Sequence, residues 1–120
     1  MENLTNFYYR YLRYIQSKDD TSATIYDKYM ALSYAVRSQM MEKWITTQNQ
    51  YHNLNPRRVY YLSMEYVFGK SLKYNIINLG LEKSAVEAAE NLGFSLEHLY
   101  QQEEDFDLGN PGIGRLAAGF

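Results

Sequence analysis

The sequence contains no cysteine, which excludes disulfides, thiolate metal sites and cysteine nucleophiles. Only two prolines interrupt it, Pro56 and Pro111, and each falls at an expected helix boundary. No apolar run approaches the ~20 residues that cross a bilayer, and the opening MENLTNFYYRYLRY has no apolar signal core. Charge of one sign is also missing. Twelve Lys and Arg stand against fourteen Asp and Glu, a formal net charge of −2. That balance argues against a surface built to neutralise nucleic-acid phosphates. The expectation is a cytoplasmic chain of one domain at most, with no nucleic-acid or membrane partner.

What the sequence has in abundance is tyrosine, thirteen in 120 residues. Leu4, Phe7, Tyr8, Tyr11 and Ile15 repeat at helical spacing and predict an amphipathic helix over 3–17. The interleaved Arg10 and Arg13 do not make this a base-stacking surface, because the aromatics share one face. After the polar turn SKDDTSAT, Thr24 and Asp27 form a capping-box pair that starts a long helix over 24–52. Asn53, Asn55 and Pro56 stop it. The apolar run from Val59 to Phe68 predicts a strand near 58–66 covered on both faces, as in a parallel sheet. Further helices are expected over 70–79, over 83–92 closed by Gly93, and over 96–103 opened by Ser95. The acidic QQEEDFD reads as a solvated helix end. One strand without a clear neighbour points to a piece of a longer α/β polypeptide, or to pairing with another chain.

Several motifs fail on context. FGKS lacks the earlier glycine of a phosphate-binding P-loop, since Met64 occupies that position. Gly112-Ile113-Gly114-Arg115-Leu116-Ala117 matches the dinucleotide fingerprint, but the preceding EEDFDLGN is acidic and turn-like rather than a buried strand. His52 and His98 lie far apart with no second ligand at metal spacing. Glu65 is a carboxylate inside an apolar run and needs a partner if buried; a structural ion pair and a functional role both remain open. In the tail DLGNPGIGRLAAGF, Asn110 suits an N-cap, Pro111 suits N1, and Gly112 and Gly114 allow close backbone approach. The arrangement aims free N–H groups of a helix N-terminus at an anion, or forms a tight turn beside a packed helix.

Two stretches carry a resemblance. RRVYYLSMEYVFGKSL and DLGNPGIGRLAAGF resemble the matching segments of the α-glucan phosphorylases, and YDKYMALSYAVRSQMMEKWITTQ upstream is similar as well. The resemblance runs from about Phe7 to the last residue and concerns the N-terminal part of that family. It implies the N-terminal part of a two-domain, Rossmann-like (GT-B) α/β glycosyltransferase. Such enzymes transfer glucose from an α-1,4-glucan to inorganic phosphate with pyridoxal 5′-phosphate, as cytoplasmic homodimers. The cofactor lysine belongs to the family's C-terminal half. By position, Asn110, Gly112, Ile113 and Gly114 match a glycine loop lining the catalytic cleft, and Glu65 matches a glutamate beside it. Pro111 replaces the family's usual glycine and removes one N–H donor. Of the residues animal enzymes use for AMP, Gln48 and Asp19 have counterparts here. His52 aligns with a tyrosine, and Thr21 and Ser22 with an asparagine and a valine, so the effector site looks degenerate. A non-catalytic helical interaction module derived from the family is the alternative.

Overall fold

A computed structural model describes residues 3–120. Six helices and two short strands follow in the order α1 (Leu4–Tyr14), α2 (Ile25–Leu54), β1 (Tyr66–Phe68), α3 (Leu72–Asn78), α4 (Glu82–Leu92), α5 (Leu96–Tyr100), β2 (Phe106–Leu108) and α6 (Pro111–Gly119). The segment is thus mostly helical with a small two-stranded sheet.

The core forms where α1 crosses the start of α2. Leu4, Tyr8 and Leu12, spaced by four, present one buried row. Ala31, Leu32, Ala35 and Val36 receive it, and the two alanines let the helix axes approach closely. Leu72, Ile76, Ala85 and Leu99 close the cluster from α3, α4 and α5. Burial pushes the Tyr8 hydroxyl far above the ordinary tyrosine range, with the Asp20 charge adding to it.

Helix ends follow local chemistry. Thr24 and Asp27 form the capping box at the start of α2, with Asp27 N–H donating to Thr24 Oγ1 at 3.2 Å and Thr24 N–H to Asp27 Oδ2 at 2.9 Å. Asn55 ends α2 in the left-handed region at φ 42°, and Gly93 ends α4 at φ 71°. Ser95 sits at the N-cap of α5 but makes no side-chain capping bond. Helix α5 stops at Tyr100, where tighter turn bonds take over from Leu99 and Tyr100 carbonyls. The acidic stretch beyond it is not simply solvated: Glu103 accepts from Ser71 N–H at 2.8 Å and Leu72 N–H at 3.0 Å, capping α3 across 32 residues of chain.

The strand expected near 58–66, buried on both faces, is not what forms. Residues 57–65 have no ladder partner, and Val59, Leu62 and Met64 are 95%, 91% and 92% exposed. Only 66–68 pair, antiparallel to β2, with Tyr66 opposite Leu108, Val67 opposite Asp107 and Phe68 opposite Phe106. A strand exists only where a neighbour accepts its hydrogen bonds, and among the described residues β2 reaches only this short stretch. The apolar run marks β propensity; the ladder, not the propensity, sets the strand.

Candidate functional site

The site is built where α6 lies on the two-stranded sheet. Asn110 has extended backbone and caps α6: its Oδ1 accepts from Gly112 N–H at 2.9 Å and from Ile113 N–H at 3.4 Å. Pro111 occupies N1, where its missing N–H costs the helix nothing. Gly114 N–H donates to the Asn110 carbonyl at 2.8 Å. The first-turn donors expected to be free are therefore already engaged by Asn110. An anion arriving here exchanges with Asn110 Oδ1 rather than filling a vacancy, and the long Ile113 bond yields most easily.

Two glycines are demanded by geometry. Gly109 sits at φ +80°, and a Cβ there would stand 2.5 Å from Glu65 Cγ. A Cβ on Gly114 would stand 2.9 Å from the Val67 nitrogen and 3.0 Å from the Tyr66 carbonyl carbon. Gly114 thus lets α6 press directly on the β1 backbone. Gly112 is different: its φ is not positive, and the nearest obstacle is Asn110 Oδ1 at 3.4 Å.

Glu65 is half-buried just before β1, its side chain lying over Gly109. Its backbone is fixed by Ser63, whose Oγ accepts from Glu65 N–H at 3.1 Å and donates to the Glu65 carbonyl at 2.7 Å. Structure therefore brings Glu65 together with the turn that precedes Asn110. Ile113 is exposed at the open end of α6, and Tyr61 stacks on Phe120 at 4.6 Å, tying the extended 57–65 segment to the far end of the same helix.

The effector-aligned residues are not brought together. Asp19 lies in the turn before α2, while Gln48 and His52 lie near its end. Along an α-helix, the level of Gln48 is about 35 Å from that of Ile25. The Asp19 carboxylate is also occupied, accepting from Ser22 Oγ at 2.8 Å, Ser22 N–H at 2.7 Å and Thr21 N–H at 3.1 Å. These bonds, led by the Ser22 hydroxyl, hold it below the usual carboxylate range. His52 and His98 are both exposed, and no group of three metal-binding side chains occurs among the described residues. No described helix is long and apolar enough to cross a membrane.

No family model matches the chain. Comparison with individual proteins is decisive. The chain is 43% identical over its whole length to the muscle form of glycogen phosphorylase from Ovis aries, covering 15% of that protein. Across 92% of its length it is 45% identical to the brain form from Bos taurus and 46% identical to the liver form from Homo sapiens, covering 13% of each. Identity at this level across the full chain makes it a homologue of the glycogen phosphorylases. More narrowly, it corresponds to their N-terminal segment and spans about 15% of the length of the relatives it matches.

Proposed function

We propose that the chain is the N-terminal part of an α-glucan phosphorylase. In the complete enzyme a phosphate oxygen replaces the glucan O4 on C1 of the terminal glucose, and O4 takes up a proton. The products are glucose 1-phosphate and a glucan shortened by one unit. The carrying observation is the capped N-terminus of α6, seated on β1 through Gly114 and braced at Gly109 by Glu65. A helix N-terminus stabilises nearby negative charge by about 0.3–1 kcal/mol, and more when partly buried. In this reading Asn110, Gly112, Ile113 and Gly114 form one wall of a cleft between two Rossmann-like halves, and Glu65 holds that wall in place.

Pyridoxal 5′-phosphate supplies phosphate-based proton chemistry in such enzymes. The residues of this chain do not fit it: no charged or polar residue is buried among those described, and every lysine lies at or near the surface. The cofactor's lysine belongs to polypeptide outside this sequence, and the chain alone is inactive. The cytoplasmic homodimer of the family remains part of this reading; the exposed second half of α2 suits a subunit contact, and it equally favours the second reading, a non-catalytic interaction module. No residue beyond Val36 on α2 is buried, and Trp44 and Leu54 are 58% and 77% exposed.

The two readings separate in a chimera. Joined to the remainder of the human liver relative and loaded with cofactor, the chain is expected to release glucose 1-phosphate from glycogen, whereas alone it releases none. A folded, cofactor-loaded chimera without phosphorolysis would leave the interaction module standing.

A further inference from the structure

We propose that Glu103 is a positioning residue, whose carboxylate fixes the angle between the helical core and the β1–β2–α6 unit that bears the candidate site. Its bearing on catalysis rests on the reading of Asn110, Gly112, Ile113 and Gly114 as a cleft wall; its bearing on the fold does not.

The chain divides into two packed groups. The buried cluster around Tyr8 and Leu32 draws its residues from α1 to α5 and none from β1, β2 or α6. Helix α6 rests on β1 and β2 instead, with Gly114 against the strand backbone. Three stretches of chain join the groups. The first, 55–65, has no ladder partner and is exposed at nearly every residue. The other two, 69–71 and 101–105, leave the same end of the ladder, beyond the Phe68–Phe106 pair. They run side by side: a Cβ on Gly69 would stand 3.7 Å from Asp105 Oδ1. Short links of this kind act as hinges unless bonds cross between them.

Glu103 supplies those bonds. Its Oε1 accepts from Ser71 N–H at 2.8 Å and from Ser71 Oγ at 3.0 Å, and its Oε2 from Leu72 N–H at 3.0 Å. Serine is a preferred N-cap in its own right, yet Ser71 makes no capping bond within α3 and donates its hydroxyl to Glu103. The opening turn of α3 is thus completed from the opposite link, where a carboxylate also suits the helix dipole. Glu103 lies against α2 as well, sharing one concavity with Tyr29, Ser33 and Arg37. Burial raises the Tyr29 hydroxyl above the ordinary tyrosine range, and the Glu103 charge adds to it. One side chain therefore holds both links against the core, next to the strand pair that seats α6.

The test compares the 120-residue chain with Glu103→Ala and Glu103→Gln by residual dipolar couplings in a dilute aligned medium. Couplings from α1–α5 and from β1–β2–α6 are expected to fit one alignment tensor in the parent and two different ones in Glu103→Ala. Glutamine keeps an acceptor oxygen for the two Ser71 donors and should restore the single tensor. Amide-exchange protection of α1 and α2 should stay at the parent level in both variants. In the chimera described above, Glu103→Ala should lower kcat for phosphorolysis about tenfold or more and leave the KM for glycogen within about twofold, because a displaced wall misaligns the reacting groups. Two tensors in the parent, one tensor in Glu103→Ala, protection lost in α1 and α2, or an unchanged kcat would each overturn the proposal. A parent chimera without activity would instead remove the cleft-wall reading, and the couplings alone would then decide the role of Glu103.

Discussion

At the scale of single residues, the glycines of the final helix divide by geometry rather than by their place in the motif. Gly114 has backbone atoms of Val67 and Tyr66 about where a Cβ would go, and a strand backbone cannot step aside as a side-chain tip can. Gly114→Ala is therefore expected to weaken the docking of α6 on β1 by about 1–3 kcal/mol, the usual cost of overpacking. Gly112→Ala meets only the Asn110 amide and has no positive φ to strain. It should be neutral or stabilise α6 by up to ~1 kcal/mol through helix propensity. Amide-exchange protection of α6 in the two variants measures both effects; equal protection would remove the distinction. The sequence made Asn110, Pro111 and the glycines legible, because capping is a rule about adjacent residues. It did not rank the glycines, since the atoms facing Gly114 and Gly109 belong to Tyr66, Val67 and Glu65, more than forty residues earlier in the chain.

At the scale of elements, the start of the long helix α2 was readable for the same local reason, and its end to within two residues: the helix runs through Asn53, expected to stop it, as far as Leu54. Thr24 and Asp27 start it, and Asn55 turns left-handed before Pro56. Elements fixed from a distance were not readable. Glu103 caps α3 from beyond α5, and β1 was displaced to Tyr66–Phe68 because its ladder depends on β2. The capping box also makes a pH-dependent prediction. Bonds from Thr24, its backbone N–H first, hold the Asp27 carboxyl below the ordinary range, so Asp27 contributes stability above its unfolded pKa of about 3.9. That contribution is lost as pH falls through the lower folded value. Asp27→Asn should consequently be less stable than the parent at pH 7, and the gap should close below about pH 4. Urea denaturation of both proteins across this range checks it; a constant gap would mean that the Asp27 charge plays no part in starting α2.

At the scale of the whole molecule, the chain is more open than its length requires. Its radius of gyration is 16.7 Å, against about 13.6 Å for a compact domain of this size. Its accessible surface is 8867 Å², against roughly 6,700 Å² for a folded monomer of this mass. The excess, roughly 2,100 Å² on one chain, is more than twice the ~800 Å² that each partner buries in a standard protein interface. Two features account for much of it: the projecting half of α2 and the extended apolar segment 59–64. The helical core around Tyr8 and Leu32 does not depend on that segment, because Leu62 and Met64 touch solvent over more than nine-tenths of their surface. Replacing both with lysine should thus change the unfolding free energy of the 120-residue chain by no more than the ~0.5 kcal/mol typical of surface changes. The same double variant should bind less of a hydrophobic dye and self-associate less in sedimentation, since an exposed apolar strand-former is an aggregation hazard. In the phosphorylase chimera the outcome should reverse, with the two lysines destabilising the protein by several kcal/mol if the larger sheet buries 59–64 on both faces. Equal stability loss in the isolated chain and in the chimera would show that the segment is already buried in the isolated chain.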